Sequence, residues 1–488
     1  MGKAPSSWVF AAFLGALTAA VYWPVASYPF IHFDDALYVT QNATVQKGLT
    51  LDGLYAIFTT PSPGGWPHPL ALVSHMLDCQ LYGLNAGGHH ATNVFLHIAA
   101  AIFLFLALLG MTADPWRSSF VAAVFALHPL QVESVAWVAE RKNVLNGFFF
   151  MLTLWLYARY AKRPSASRYA SVAASFILSL LARSVMVSLP LVLLALDYWP
   201  LERRRPWRRL IVEKLPLLAL SVACALIALQ TAEAVSPLAA LPFSARAANT
   251  VVSTASYVRE AFWPSGLCVF SPYARGIAAW KSVSAGLLLL SFTGFCALET
   301  KRRPWLIVGW LWFLAALAPF SGLVQVGAQA MADRYMYLPL VGLALAAAWS
   351  APASLGRQRE VLLSAALVVA LMVCSSLQLR YWQDGVSLFS RALALHPEGA
   401  LVHSYLGAEF SNQGDFDDAV REFREGIALY PAHADARNNL ALALILQGRL
   451  GEAEKELAAA LEIDPESDGI RRNLVAVRRM RAEKKKGE

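Results

Sequence analysis

Two adjacent carboxylates follow the first apolar segment of this chain. Asp34 and Asp35 stand in the run His32-Phe33-Asp34-Asp35, soon after an apolar stretch that begins at Ser7. Carboxylates at a membrane boundary are costly unless they are solvated, paired or used in chemistry. A carboxylate near the lipid headgroups can serve as the general base for a reaction on a lipid-borne substrate. A helix cap or a solvated turn is the structural alternative and has equal weight.

Four basic side chains are expected at the outer ends of apolar segments. Arg141 and Lys142 close the segment from His128 to Asn143, and Arg183 and Arg334 lie at two other such ends. Outward cations run against the usual excess of Lys and Arg in cytoplasmic loops, so an anion such as a lipid phosphate could hold them there. The alternative is that these side chains only snorkel to the headgroups.

Three further residues are candidates for contacts with a sugar or an acceptor: His68, His75 and Glu133. His75 stands one helical turn before Asp78, so it could also be satisfied locally or act as a metal ligand. No set of three ligands has a recognisable metal-site spacing. The sequence therefore predicts no metal site, and a divalent cation has no support from spacing.

Composition indicates that the elements positioning these residues lie in a membrane. Apolar residues make up 57% of 488 positions, and charged residues only 15%, against about a quarter in typical soluble domains. The formal charge of +8 is concentrated in short loops between apolar runs, which argues against nucleic-acid binding. Among five cysteines, Cys79 and Cys268 are the pair that could form a disulfide across the outer face.

The chain contains about eleven apolar segments that could span a bilayer. They are 7–26, 92–111, 118–130, 145–161, 169–182, 185–199, 215–231, 283–298, 305–320, 335–350 and 361–379. The basic loops place the N-terminus in the cytoplasm, and an odd number of spans places the C-terminus outside. We therefore expect an all-α, polytopic membrane domain over residues 1–380, with outer loops at 27–91, 128–143 and 232–282. For the number of spans to stay odd, residues 247–264 must not cross the membrane: they must lie on its outer surface or form a re-entrant segment.

Residues 381–488 have a repeat of 34 residues. Pro397, Pro431 and Pro465 keep this spacing, as do Gly414 and Gly448. The period is that of tetratricopeptide repeats, in which each unit is a pair of packed amphipathic helices. The sequence predicts a periplasmic repeat domain that either stabilises the membrane domain or binds protein segments.

Several motifs, read in order, resemble the transmembrane and tetratricopeptide repeat-containing O-mannosyltransferases and their bacterial relatives. They are His32 to Asn42, Ser74 to Asp78 with Tyr82 to Asn85, His128 to Asn143, Leu196 to Leu201, and Asp333 to Pro339, with the repeats behind them. The resemblance spans nearly the whole chain, although this chain has far fewer repeats than the animal members.

The resemblance implies a glycosyltransferase of the C superfamily (GT-C) without a certain cofactor. Such an enzyme takes a hexose, for instance mannose, from a polyprenyl phosphate monosaccharide and transfers it with inversion to a hydroxyl of a protein or glycan. It also implies that Asp34 or Asp35 is the catalytic base, with the choice left open. The rival interpretation is a non-enzymatic scaffold that recruits envelope proteins through its repeats. We expect a multi-pass protein of a bacterial inner membrane.

Overall fold

The chain divides into two compact units. The computed structural model describes residues 7–60, 67–184, 187–232, 241–273, 276–323, 329–352, 354 and 356–487. The first unit comprises Met1–Phe30, Asp34–Leu267 and Tyr273–Trp382, and the second comprises Ile31–Phe33, Cys268–Pro272 and Gln383–Glu488. The main division therefore falls after Trp382, beside the expected boundary at 380.

The first unit is built almost entirely from helices, which confirms the expected all-α class. Its α-helices are α1 Ser7–Tyr22, α2 Ala43–Gln46, α3 Leu51–Thr59, α4 Pro69–Tyr82, α5 Ala86–Thr112, α6 Pro115–Leu127, α7 Val132–Ala136, α8 Arg141–Lys162, α9 Ala166–Ala182, α10 Leu189–Tyr198, α11 Trp207–Ala232, α12 Phe243–Phe262, α13 Ala279–Leu298, α14 Pro304–Leu317, α15 Pro339–Ser350 and α16 Gly356–Leu379. Each of the eleven apolar segments coincides with one of these helices.

Within the described residues, five helical stretches are long and apolar enough to cross a bilayer alone. They are Ser7–Ser27, Ala86–Thr112, Trp207–Gln230, Ala279–Leu298 and Gly356–Trp382. A sixth is formed if Pro115–Leu127 and Pro129–Ala136, which meet at a bend of 52°, count as one span. The other apolar helices are shorter or carry charged ends. Pro190 and Pro339 lie in the first turns of α10 and α15, so these two helices begin several residues after the apolar segments do. The helix Phe243–Phe262 covers most of the segment expected at the outer surface, and its orientation stays a prediction.

Local sequence explains where these helices begin and how closely they pack. Asp114 caps α6 by accepting hydrogen bonds from the backbone N–H groups of Trp116 and Arg117, at 3.0 and 3.1 Å, which satisfies donors that a helix start leaves unpaired. Gly309 of α14 and Gly342 of α15 face each other so closely that a Cβ on either would collide with the other's backbone oxygen. Small residues allow this approach between membrane helices.

The first unit also contains shorter helices and single helical turns. Besides α2, α3, α4 and α7, these are a π-helical turn at Ala36–Thr40 and 3₁₀ turns at Trp23–Ser27, Pro129–Gln131, Val138–Glu140, Ala318–Phe320, Asp333–Met336 and Arg380–Trp382. The first unit also contains the short strand β2, Gln329–Met331, and the second contains β1, Ser271–Pro272. All five cysteines are free thiols, so the expected disulfide between Cys79 and Cys268 is wrong.

The second unit contains the repeat helices that the period of 34 predicts. They are α17 Gly385–Leu395, α18 Ala400–Gln413, α19 Phe416–Leu429, α20 Ala434–Leu446, α21 Leu450–Ile463 and α22 Asp468–Gly487. Gly414 and Gly448 end α18 and α20 with φ of +86° and +76°, a left-handed conformation that glycine adopts most easily. The second unit also includes Ile31–Phe33, the three residues directly before Asp34. Within it, the backbone N–H of His32 donates to the side chain of Glu409 at 3.0 Å.

Candidate active site

Asp34 and Asp35 have different surroundings. Asp35 is 1% exposed, and its Oδ1 accepts a hydrogen bond from the backbone N–H of Ala139 at 2.7 Å. The side chain of Asp34 is 34% exposed, and its Oδ2 lies 4.0 Å from Nζ of Lys142. Asp35 therefore anchors the backbone before Glu140, whereas Asp34 presents an accessible carboxylate.

Glu140 joins three of the basic residues of this site. One carboxylate oxygen lies 3.1 Å from Nζ of Lys142 and 3.6 Å from Nε of Arg334. The other lies 2.8 Å from Nη1 of Arg183. The 3₁₀ turn Val138–Glu140 and the first turn of α8 present Glu140 and Lys142 on consecutive stretches of one segment. We call Lys142, Arg183, Arg334 and Glu140 the cation cluster.

Glu133 supports the cation cluster and is not exposed to a sugar. It is 1% exposed, forms an ion pair with the guanidinium of Arg334, and accepts a hydrogen bond from the backbone N–H of Arg334 at 2.7 Å. Its expected role as a sugar contact does not fit this geometry, because both carboxylate oxygens are engaged by Arg334. These two contacts fix the position of Arg334 beside Glu140.

The two carboxylates nearest Lys142 have opposite pKa shifts. Burial raises the pKa of the Asp34 carboxyl above its usual value and outweighs the opposing charges of Lys142 and Arg334. Burial also raises the pKa of Glu140, but Lys142, Arg183 and Arg334 reverse that effect and bring it to about 2. Glu140 therefore stays ionised, while Asp34 is the more basic group.

The side chain of Arg141 is buried among protein groups, and its position on the outer side of the membrane stays a prediction. It is 0% exposed, and its guanidinium donates to Asp78 at 2.7 Å, to Ser74 at 2.8 Å and to the carbonyl of His89 at 2.7 Å. It also donates to the side-chain oxygen of Asn93. Because protein oxygens engage the guanidinium on several sides, we do not retain Arg141 as a ligand for the donor phosphate.

The two histidine candidates lie in different places. His75 is 0% exposed and stacks against His89 with ring centroids 6.0 Å apart, so a direct contact with a sugar does not fit. His68 is also buried. Burial, followed by the charges of Lys142 and Arg183, lowers the pKa of His68 well below its usual range. A neutral His68 thus lies in the electrostatic field of the cation cluster.

Sequence reasoning missed Glu140 and Tyr38 as parts of the site. Glu140 directly precedes Arg141 and Lys142, and a carboxylate beside two outward cations is a signal for an ion-pair network. Nζ of Lys142 lies 4.6 Å from the ring centroid of Tyr38, a cation–π contact that no sequence spacing indicates. Of the neighbouring residues Arg141 and Lys142, only Lys142 joins the cation cluster, and only the structure could show which of the two does so.

The arrangement combines a proton acceptor with cations that can hold an anion. Asp34 is exposed enough to receive a proton, and Lys142, Arg183 and Arg334 have side-chain exposures of 9%, 6% and 11%. An arginine carries five N–H donors, and the ion pairs with Glu133 and Glu140 account for part of them. The site is therefore suited to removing a proton beside an anionic group.

A family comparison matches the repeats. The description "Tetratricopeptide repeat" applies to residues 409–468, which include the whole of α19, α20 and α21. This match confirms the repeat period read from the prolines and glycines.

Curated relatives are similar to part of the chain. Mouse protein O-mannosyl-transferase TMTC3 is 27% identical over 158 residues, which are 31% of this chain and 17% of the relative. Mouse protein O-mannosyl-transferase TMTC2 is 36% identical over 96 residues, which are 19% of this chain and 11% of the relative. The matches therefore span less than a fifth of the length of either relative.

A solved structure aligned over most of the chain is that of ArnT from Cupriavidus metallidurans bound to undecaprenyl phosphate. It covers 93% of this chain and 80% of its own, with 13% identity and a TM-score of 0.36. The repeat match and the O-mannosyl-transferase relatives, found independently, support the family resemblance of the motifs.

Proposed function

We propose that this protein is an inverting glycosyltransferase of the GT-C type at the outer face of a bacterial inner membrane. The donor would be a hexose, such as mannose, linked to a polyprenyl phosphate, and the acceptor a hydroxyl of a protein or glycan. The observation that carries the proposal is the partly exposed carboxylate of Asp34, 4.0 Å from Lys142 at the edge of the cation cluster. The similarity to named O-mannosyl-transferases supports the reaction class.

Asp34 is the proposed general base. The acceptor hydroxyl would give its proton to the Asp34 carboxylate as its oxygen attacks the anomeric carbon. The raised pKa of Asp34 suits this role, because a stronger base accepts the proton more readily. The bond between the anomeric carbon and the phosphate oxygen breaks on the opposite face of the sugar, so a single displacement inverts the configuration.

Lys142, Arg183 and Arg334 are the proposed ligands of the donor phosphate. The donor phosphate is a diester with one negative charge, and the departing polyprenyl phosphate is a monoester that carries more. Fixed cations therefore stabilise the transition state more than the bound donor. Glu140 would hold the three cations together before the donor binds, since it contacts each of them.

His68 is the proposed contact to a sugar hydroxyl. A neutral imidazole can donate one hydrogen bond and accept another, and its electrostatic interactions with Lys142, Arg183 and Glu140 indicate that it lies near the cation cluster. Arg141, His75 and Glu133 are not included, because each is buried at or below 1% exposure and two of them are engaged by protein partners.

The repeat domain is proposed to be periplasmic and to hold a protein acceptor. The odd number of predicted spans places it on the same side as the loop that contains Asp34. Paired amphipathic helices of this type form concave surfaces that bind protein segments, and residues 409–468 match the repeat family. Binding an acceptor away from the reacting hydroxyl would raise transfer to proteins above transfer to small acceptors.

Comparing two acceptors tests these proposals together. The full-length protein, in liposomes with a polyprenyl phosphate hexose, should transfer sugar to a hydroxyl-containing peptide and to envelope proteins extracted from cells that lack the gene. Activity with both acceptors, lost in Asp34→Asn, supports the enzyme. If the intact protein binds envelope proteins but transfers no sugar from any polyprenyl phosphate hexose, the scaffold interpretation replaces it.

A further inference from the structure

A buried cluster of two imidazoles and a carboxylate joins α4 to the first turn of α5. His75 and Asp78 lie one turn apart on α4, and His89 lies near the start of α5. One potential ligand atom from each lies within 4.8 Å of the other two. All three residues are at most 2% exposed. No sequence spacing indicates this set, because His89 comes from a separate helix.

The hydrogen bonding of His89 leaves a lone pair directed at this cluster. Its Nε2 lies 3.1 Å from the carbonyl oxygen of Gly83, and a carbonyl only accepts, so Nε2 carries the hydrogen. In the neutral ring Nδ1 is then unprotonated, and it lies 3.6 Å from Oδ2 of Asp78. Two lone pairs facing each other at this distance repel, and a cation bound between them would convert the repulsion into two favourable contacts. Metal-binding histidines commonly donate their other N–H to a backbone carbonyl.

The ring nitrogens of His75 point to a bound ligand independently of the contact between His89 and Asp78. Within the part of the chain that the structure describes, neither of its ring nitrogens has a hydrogen-bond partner, although the side chain is completely buried. A buried polar group without a partner is costly. The ring stacks on His89 with an interplanar angle of 27°, which places the imidazoles side by side beside Asp78. A bound cation would give one of these two nitrogens a partner and so lower this cost.

We propose that His75, Asp78 and His89 bind a divalent transition metal of the zinc class. Two imidazoles and one carboxylate are a common three-ligand set for Zn²⁺, with a water molecule in the fourth position. The metal would link α4 to α5 and stabilise the outer segment that precedes the membrane helix. This proposal is independent of the glycosyltransferase proposal, since none of the three residues belongs to the cation cluster.

The neighbours of Asp78 are consistent with a ligating carboxylate. Thr92 donates to Oδ1 at 2.9 Å, and Arg141 donates to Oδ2 at 2.7 Å. A carboxylate oxygen has two lone pairs, so Oδ2 can accept from Arg141 and bind a metal at once. Because Arg141 already balances the charge of Asp78, the metal-bound water is expected to ionise to hydroxide, which lowers the net charge of the buried site.

Metal content of the full-length protein in detergent tests the proposal. After dialysis against Zn²⁺ and removal of free metal, elemental analysis should give about one zinc per chain. His75→Gln and His89→Gln should each weaken zinc binding by about tenfold or more. His97→Gln is the matched control: it removes another buried histidine of α5, but one whose nitrogens bond Tyr337 and Ala126 at 2.8 and 3.0 Å, and its zinc content should stay at the wild-type value.

A second readout applies even if a variant folds poorly. Zn²⁺ should raise the unfolding midpoint of the wild-type protein and of His97→Gln, a chelator should reverse the rise, and Co²⁺ should give a visible absorption band of low-coordinate cobalt. No bound zinc and no cobalt band in the wild-type protein would overturn the proposal. Equal zinc content in the wild type and both cluster variants would overturn it as well.

Discussion

Nζ of Lys142 lies 4.0 Å from the carboxylate of Asp34 and so connects this partly exposed acid to the buried cation cluster. Lys142 is also 3.1 Å from Glu140, which has the lower pKa of the two carboxylates. The lysine therefore stays paired with Glu140 whether or not Asp34 carries a proton. Asp34 can therefore exchange a proton, whereas Glu140 stays charged.

Substitutions of Asp34 and Asp35 should have different effects. Asp34→Asn should lower turnover by about a hundredfold or more, because the base is lost, while the unfolding midpoint stays close to wild type. Asp35→Ala should instead destabilise the fold by about 1–3 kcal/mol, because it leaves the N–H of Ala139 buried without its acceptor. Turnover and thermal unfolding of both variants provide the measurement. Wild-type turnover in Asp34→Asn would contradict the assignment of the base.

The pH dependence of transfer should reflect the pKa of Asp34. Activity requires the ionised carboxylate, so it should fall as the pH decreases through a pKa above the usual value of about 4 for Asp. Lys142 lowers the pKa of Asp34, so Lys142→Met should move the acidic limb of the kcat/KM profile to higher pH, beyond any loss of rate. A limb at the same pH in both proteins would contradict the link between these residues.

Arg183 should affect the donor more than the acceptor. Arg183→Gln removes one of the three cations around Glu140, so the apparent KM for the polyprenyl phosphate sugar should rise and kcat should fall, by about tenfold or more in kcat/KM. Arg259→Gln is the control, since its side chain is 63% exposed and pairs with Glu260 outside the cluster. Equal kinetics in the two variants would place Arg183 among the arginines that only reach the headgroups.

Arg141 should be required for stability. In the metal-free protein its removal leaves the buried carboxylate of Asp78 without the guanidinium that pairs with it, and breaking a buried ion pair typically costs about 3–5 kcal/mol. We therefore expect Arg141→Met to show reduced yield and a lower unfolding midpoint in detergent. A variant with normal stability but a raised KM for the donor would restore Arg141 to the phosphate site.

Sequence patterns were informative where the physics is local. Apolar segments predicted helices at all eleven positions, since the bilayer imposes composition and length on a span. The spacing of Pro397, Pro431 and Pro465 predicted the repeat helices, because helix ends and tight packing recur in each unit. Exact helix lengths were less predictable, as prolines shorten several apolar helices.

The site could be predicted only in part, because charge partners come from distant segments. The sequence identified Lys142, Arg183 and Arg334 together with Arg141, and nothing in its pattern separates the neighbouring Arg141 and Lys142. Their positions at the start of α8 direct one side chain to Asp78 and the other to Glu140. Such pairings depend on how α4, α5 and α8 pack, which no local spacing records.

The repeat domain offers a test of topology. Alkaline phosphatase fused after the last residue should be active in a bacterial host, because it folds to its active form outside the cytoplasm, and a fluorescent cytoplasmic reporter at the same position should be dark. The reverse pattern would place the repeats in the cytoplasm and separate them from the loop that contains Asp34.

Transfer from a defined donor tests the central claim most directly. Purified full-length protein and its Asp34→Asn variant would be placed in liposomes with a radiolabelled polyprenyl phosphate hexose and a hydroxyl-containing peptide, and the anomeric configuration of the product would be determined by NMR. We predict glycosylated peptide of inverted configuration with the wild-type protein and a loss of about a hundredfold or more with the variant. Product of retained configuration, or equal rates in the two proteins, would contradict the account.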